Sequence, residues 1–183
     1  MNKIVIFCVM LVLPMLAFPQ FGATDEEPDV REMSTKERIF VGGFVGLQFG
    51  TYTAISVNTL AGYRITNRLS AGIGGTYMYA NDRYWEQSMT SHTYGGSLFA
   101  RFRVIDKAFI HAENEWLSVV SRADHLDDGR RRLSETNFLL GPGYGFSLSP
   151  RARLNILLLY NFNENSQVYF DNPFFRVGLD ISL

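Results

Sequence analysis

The stretch that decides the fold is Tyr94-Gly95-Gly96-Ser97-Leu98-Phe99-Ala100-Arg101-Phe102-Arg103-Val104. Its even-numbered positions carry uncharged and largely apolar side chains, whereas the odd-numbered positions include Gly95, Arg101 and Arg103. Successive side chains of a β-strand point to opposite faces of a sheet. The alternation therefore predicts a strand whose two faces meet different surroundings, with every charge on one of them.

The same alternation recurs along the chain from residue 38 onward. We predict eight strands, over residues 39–49, 55–65, 69–79, 94–104, 108–118, 138–148, 152–162 and 175–183. One face of each carries no charge, and the other holds the charged residues together with most of the glycines. Two residues are irregular. Asn114 is a polar residue on the otherwise apolar face. Pro142 lies in the middle of a predicted strand and has no N–H to donate to a neighbouring strand, so we expect a bulge at residues 141–143.

The bulky apolar side chains share one face, while the charges lie with the small residues. Charges beside glycines are typical of a narrow lumen, and a bulky apolar face is typical of contact with lipid. We therefore predict an all-β, eight-stranded, antiparallel, up-and-down transmembrane β-barrel over residues 38–183. Eight strands enclose an interior that side chains just fill, which argues against a wide pore.

Composition excludes several classes of protein. The 183 residues include 17 basic and 18 acidic ones, which does not favour a nucleic-acid-binding protein. Hydrophobic residues make up 46% of the chain and charged residues 19%, which is too apolar for a disordered protein. The single cysteine, Cys8, excludes a disulfide framework and a multi-cysteine metal site.

The N-terminal segment is typical of an export signal. Lys3 precedes an uncharged run over residues 4–18, which is shorter than the ~20 apolar residues of a membrane-spanning helix. We predict a signal peptide over residues 1–23, with an uncleaved anchor as the alternative. Residues 24–37 are polar, and we expect a flexible periplasmic tail there.

The predicted connections differ in length at the two ends of the strands. Those at residues 66–68, 105–107 and 149–151 are short, whereas those at residues 81–91, 119–135 and 163–172 are longer. Outer-membrane barrels have short periplasmic turns and longer extracellular loops. The pattern predicts a protein of the outer membrane of a Gram-negative bacterium, in contact with membrane lipid and lipopolysaccharide.

The charged residues of the second face are predicted to line the lumen. An unpaired charge in a low-dielectric interior costs several kcal/mol, so we expect these residues to pair. Consecutive strands should place Arg101 and Arg103 across from Glu113 and Glu115. We interpret the network as holding the barrel closed, with a narrow ion or proton path as the alternative. Its predicted members are Arg64, Arg101, Arg103, His111, Glu113, Glu115, Arg153, Arg176 and Asp180.

Aromatic side chains cluster near the predicted ends of the strands. Rings with a polar edge suit the headgroup level of a bilayer, where membrane barrels carry aromatic girdles. The girdle next to the longer loops is predicted to contain Tyr77, Tyr79, Tyr94, Trp116, Tyr160 and Phe162.

The sequence offers little for catalysis. A lipid hydrolase needs a serine, a histidine and an acid that converge at the membrane face. We place His92 on the lumen face, which counts against such a site, and His125 has no diagnostic metal-ligand spacing. Arg130, Arg131 and Arg132, if they bind anything, suit the phosphates of lipopolysaccharide. We predict no catalytic residue, no metal and no cofactor.

Three segments resemble the small eight-stranded outer-membrane barrels of the Bacteroidetes, a porin-like or OmpA-like barrel domain. They are residues 39–50, the Tyr94-Gly95-Gly96-Ser97 opening of a strand, and the terminal stretch over residues 173–179. The last strand looks like the signal read by the barrel-assembly machinery, although it ends in Leu183 instead of an aromatic residue.

We expect a non-enzymatic protein with a structural or accessory role, which presents its outer loops to a protein partner. Three alternatives remain: a narrow ion channel, an outer-membrane lipid-modifying enzyme, and a soluble lipocalin-like binding barrel in the periplasm.

Overall fold

A computed structural model describes residues 29–48, 52–82, 89–120, 132–169 and 172–183. Each strand pairs antiparallel with the next, and β1 also pairs with β8. The predicted all-β, closed, eight-stranded antiparallel barrel is therefore confirmed. The strands in the described ranges are β1 (Ile39–Gln48), β2 (Tyr52–Arg64), β3 (Leu69–Asp82), β4 (Met89–Arg103), β5 (Ala108–Val120), β6 (Arg132–Ser147), β7 (Ala152–Asn161) and β8 (Phe174–Ser182). Within those ranges no helix is long and apolar enough to cross a membrane.

The two predicted faces are the inside and the outside of the barrel. In β5, His111, Glu113 and Glu115 are buried, whereas the alternating residues Ile110 and Trp116 are exposed. The antiparallel registers from β1 to β5 are unbroken, so inward residues of one strand lie opposite inward residues of the next, and outward residues lie opposite outward ones. The alternation read from the sequence therefore assigned the inward and outward positions correctly for the described residues of the eight predicted strands.

Several strands are longer than the sequence predicted. The β3–β4 ladder continues to the pair Asp82 and Met89, and the β5–β6 ladder continues to Val120 and Arg132. The predicted connections over residues 81–91 and 119–135 are correspondingly shorter. Ladder hydrogen bonds come from the backbone, so a strand can continue through polar side chains that break the apolar pattern.

The strand around Pro142 contains no bulge. On β7, Tyr160 pairs with Leu140 and Leu157 pairs with Gly143, so both strands advance by three residues between these pairs. The β5–β6 register is also continuous across Pro142. The predicted bulge is wrong, because the missing N–H of a proline removes a ladder bond without requiring an inserted residue.

The interior also contains large apolar side chains, contrary to the expectation that bulky residues lie only on the outer face. The glycines make room for them: a Cβ on Gly62 would collide with the Phe40 ring, and one on Gly143 with the Phe109 ring. An eight-stranded barrel must fill its interior with side chains, and glycines and charges alone leave it empty. The main buried cluster comprises Phe40, Phe44, Leu60, Phe99, Phe109, Leu139, Leu157 and Leu159.

The segment before β1 lies against the end of the barrel that carries the short turns. Val30 is buried, and its N–H donates to Asn67 Oδ1 in the β2–β3 turn at 2.8 Å. Arg38 Nη2 donates to the carbonyl of Val30 at 2.6 Å. Residues 29–37, expected to belong to a flexible tail, therefore form turns that are hydrogen-bonded to the barrel.

Reciprocal hydrogen bonds between Ser34 and Glu37 shape this segment. The N–H of Ser34 donates to Glu37 Oε2 at 2.7 Å, and the N–H of Glu37 donates to Ser34 Oγ at 3.4 Å. Hydrogen bonds to its ionised form lower the pKa of the Glu37 carboxyl from its ordinary value. Glu37 is therefore a charged residue at neutral pH.

Neighbouring glycines in β4 provide a matched test of the fold. A Cβ on inward-facing Gly95 would collide with the carbonyl of Trp116 and meet Leu117 Cα at 2.9 Å. A Cβ on outward-facing Gly96 would meet nothing closer than the Gly74 carbonyl oxygen, at 3.5 Å.

We expect Gly95→Val to lower the free energy of unfolding by about 1–3 kcal/mol or more, because overpacking forces the backbone to move. Gly96→Val should change it by less than about 0.5 kcal/mol. Urea unfolding of the purified barrel measures both. Equal effects of the two substitutions would contradict the assigned faces.

Candidate functional site: the charged interior of the barrel

One guanidinium bridges two carboxylates across the lumen. Arg176 of β8 donates from Nη1 to Glu113 Oε2 at 2.7 Å and from Nη2 to Glu115 Oε1 at 2.8 Å. The two glutamates are adjacent inward positions of β5. All three side chains are at least nine-tenths buried. The planar fork of arginine suits this arrangement, because it presents parallel N–H donors to neighbouring oxygens.

A tyrosine from the segment after β7 completes this group. Tyr169 accepts a hydrogen bond from Arg176 Nη2 at 2.6 Å, and its hydroxyl donates to Glu115 Oε2 at 2.7 Å. Its ring stacks on Phe174, with centroids 4.6 Å apart and planes 8° apart. Both oxygens of Glu115 are thus satisfied in the interior.

The segment that carries Tyr169 is itself held by a buried carboxylate. Glu135 of β6 accepts hydrogen bonds from Ser166 Oγ at 2.5 Å and from the N–H of Gln167 at 2.9 Å. Val168 is buried against apolar residues of the strands, including Leu117. Residues 166–169 therefore pack into the interior at the end opposite the short turns.

A second ionic group lies nearer the short turns. Arg101 Nη1 pairs with Asp180 Oδ2, which also accepts a hydrogen bond from Asn155 Nδ2 at 2.8 Å. Arg101 Nε donates to His111 Nδ1 at 3.2 Å, which leaves the proton of a neutral imidazole on Nε2. His111 Nε2 lies 3.3 Å from Glu113 Oε2, so the two ionic groups are linked.

The guanidinium of Arg101 lies among aromatic rings. The faces of such rings carry negative potential that attracts a cation, and more strongly when both are shielded from water. This environment helps to stabilise the buried positive charge, whose carboxylate partner among the described residues is Asp180. The distances from Arg101 Cζ to the ring centroids are 5.1 Å for Phe99, 5.4 Å for Phe109, 5.5 Å for Phe44 and 5.7 Å for Phe40.

The structure links six of the nine predicted lumen residues through side-chain hydrogen bonds and ion pairs and places the other three at the short-turn end of the interior. The six form the linked ionic groups: Arg101, His111, Glu113, Glu115, Arg176 and Asp180. Arg64, Arg103 and Arg153 line a cavity at the short-turn end, which Arg101 and Asp180 also line. Arg64, for example, donates to the Glu37 carbonyl at 3.2 Å and to Ser182 Oγ at 2.8 Å.

The predicted pairing of Arg101 and Arg103 with Glu113 and Glu115 is wrong. The β4–β5 register places Arg101 opposite His111 and Arg103 opposite Phe109. In this register Glu113 lies opposite Phe99 and Glu115 lies opposite Ser97. Their partner comes from the opposite wall of the barrel.

Two residues of the network were not predicted from the sequence. Glu135 precedes the predicted start of its strand at residue 138, but it has the same parity as the inward residues of β6. Extending the alternation backward would have placed it inside. Tyr169 lies outside every strand, so no periodicity in the sequence indicates its position.

The six predicted girdle aromatics face outward near the longer connections. Tyr77 and Tyr94 are paired across β3 and β4, and Tyr160 and Phe162 pack edge to face with centroids 5.0 Å apart. Tyr79 is half-buried, and the other five are exposed: Tyr77, Tyr94, Trp116, Tyr160 and Phe162.

His92 also lies on the outer face, so its predicted placement on the lumen face is wrong. It is two residues from outward-facing Tyr94 and therefore has the same parity. Its Nδ1 lies 2.8 Å from the hydroxyl of Tyr77, and its ring packs against Tyr79. No carboxylate side chain shares the outer face in the strands that the structure describes.

The basic residues of the predicted long connection over residues 119–135 are only partly described. His125, Arg130 and Arg131 lie outside the described residues. Arg132 begins β6 on the outer face, with its guanidinium carbon 4.5 Å from the centroid of the Tyr94 ring.

A search of protein-family models and a search of curated proteins found no match to this chain.

The bridge formed by Arg176 yields a prediction about stability. Arg176→Met leaves Glu113 and Glu115 buried without their cation, which should cost about 3–5 kcal/mol of unfolding free energy. The triple variant Arg176→Met, Glu113→Gln, Glu115→Gln removes all three charges and should recover most of that loss. Urea unfolding of both variants measures the difference.

Arg132→Met is the matched control, because it removes the same charge from an exposed position and should change stability by less than about 0.5 kcal/mol. Equal stability of wild type and Arg176→Met would contradict the role assigned to the bridge.

Proposed function

We propose that this chain is an outer-membrane β-barrel protein of a Gram-negative bacterium, related to the small barrels of the Bacteroidetes. Residues 1–23 serve as its signal peptide, and the barrel spans the membrane. Its role is structural or accessory and does not involve catalysis. The observation that carries the proposal is a closed barrel with an apolar outer face and its charges inside.

The outer face supports contact with lipid. Ile73 is 62% exposed, Leu98 54% and Phe175 69%. Soluble monomers rarely expose a contiguous apolar surface of more than a few hundred Å², whereas here such side chains surround the barrel. Among the outward positions of the described strands, Arg132 is the sole residue with a full charge at neutral pH. Strands of 9–16 residues are long enough for a bilayer, which takes about 9–11.

The filled interior favours a structural role over conduction. Leu139, Leu157 and Leu159 are fully buried in the middle of the lumen, and Val168 and Tyr169 close one end. An ion that crossed this barrel would have to displace the bridge made by Arg176. These contacts support the proposal of a closed, side-chain-filled barrel.

The proposed orientation follows from the two ends of the barrel. The short turns would face the periplasm, and the longer loops would face outward, available to a protein partner. Arg132, packed on Tyr94, would lie where the phosphates of lipopolysaccharide are found. During insertion, the barrel-assembly machinery would read the alternating apolar residues of β8.

A charge placed on the outer face distinguishes a membrane barrel from a soluble lipocalin-like one. Leu98→Arg, in the middle of β4, should lower the unfolding free energy in lipid vesicles by about 2–4 kcal/mol, because the charge would lie in hydrocarbon. Val104→Arg, just beyond β4 and 53% exposed, is the matched control and should cost about 0–1 kcal/mol. A soluble barrel would tolerate both equally, and that result would refute membrane insertion.

A lipid-modifying enzyme is the second candidate, favoured by the outward placement of His92 beside Tyr77. A histidine on the outer face near the longer loops could meet an acyl chain of the outer leaflet. The proposed non-catalytic role nevertheless predicts that the acyl chains of lipid A are the same in cells with wild-type protein, with His92→Ala and with no protein.

Mass spectrometry of lipid A from the three strains measures this. An acyl pattern that changes with the wild-type protein and reverts with His92→Ala would show an enzyme and overturn the non-catalytic role.

A further inference from the structure

The end of the barrel with the short turns contains a cavity of about 670 Å³. Small-molecule sites in proteins commonly measure about 300–1,000 Å³, so this volume suits a small organic ligand. Its walls include the turn residues Asn67 and Pro150 and the inward residue Phe109, and Glu37 of the segment before β1 also lines it. We call this space the basic cavity.

Positive charge dominates the walls of the basic cavity. The acidic side chains that line it are Glu32, Glu37 and Asp180, and Asp180 is already paired with Arg101. A concave site lined by one sign of charge concentrates ions of the opposite sign. The arginines that line the cavity are Arg64, Arg68, Arg101, Arg103, Arg151 and Arg153.

Buried polar atoms at the inner end of the cavity lack partners. Arg101 Nη2 has no hydrogen-bond partner within the described residues, although its side chain is only 8% exposed. Two acceptor oxygens of other residues that line the cavity, Asn155 Oδ1 and Asp180 Oδ1, are also without a partner there. A buried unsatisfied group is costly, and such a group in a native site calls for a ligand or an ordered water.

We propose that the basic cavity binds a small anion that carries phosphate or carboxylate oxygens. Arg101 donates to the anion from Nη2 while Nη1 stays with Asp180, and Arg103 and Arg153 surround it nearer the opening. Hydroxyl groups next to the anionic group would donate to Asn155 Oδ1 and to Asp180 Oδ1, which favours hydroxy acids and sugar phosphates over simple anions. The proposal does not depend on membrane insertion, since every group it uses lies inside the barrel.

Calorimetric titration of the folded barrel in detergent, at constant ionic strength, tests the proposal. The probes are sodium pyrophosphate and sodium citrate, which separate phosphate from carboxylate recognition. We expect saturable one-to-one binding of at least one of them. Arg103→Gln and Arg153→Gln should each weaken it about tenfold or more, because each removes a charge-assisted hydrogen bond.

Arg132→Gln makes the same change of charge at the other end of the barrel and should leave the dissociation constant unchanged. The Arg101 side-chain Nε–H resonance, observed by NMR in the wild-type protein, should shift on binding, which avoids substituting a buried residue. No saturable binding of either probe, or equal weakening by Arg132→Gln, would overturn the proposal. Either result leaves the outcome for Leu98→Arg in lipid vesicles unaffected.

Discussion

The interior of this barrel depends on the pairing of Arg176 with Glu113 and Glu115. Desolvating three charges costs several kcal/mol for each ion, and only close hydrogen bonds between them offset that cost. The bonds at 2.7 and 2.8 Å join β8 to β5 across the lumen, where no backbone ladder connects these strands. Tyr169 satisfies the remaining oxygen of Glu115, so the same group also holds the segment after β7 inside the barrel.

The rest of the interior fits around this group by complementary size. The interior of an eight-stranded barrel is narrow, so only some of the inward side chains can be large. The glycines lie where phenylalanine rings approach the wall. Those rings in turn surround Arg101, the second buried cation. Apolar packing and ionic pairing therefore occupy the same part of the interior. The glycines leave space for the phenylalanine rings, and these rings shield the charge of Arg101 from water.

The sequence predicted the fold and its faces because a strand has a period of two, and this period needs no tertiary information. The ion-pair partners of residues on different strands were harder to predict. Pairing Arg101 with Glu113 requires a register, and the β4–β5 turn sets one in which Arg101 meets His111 instead. The position of Tyr169 depends on a connection that has no periodicity at all. His92 was misplaced by a parity error, since its spacing from Tyr94 already put it outside.

The two ends of the lumen differ, and this asymmetry limits what the interior can do. Residues 166–169 fill the end near the long connections, whereas the short-turn end keeps an arginine-lined cavity that reaches Arg101. Between them lie Leu139, Leu157 and Leu159, all fully buried. A solute that enters from the short-turn side therefore meets the buried donor of Arg101 beside the polar side chains of Asn155 and Asp180. In the orientation proposed above, that side is the periplasm, so the chemistry of the lumen favours retention of an anion over its passage.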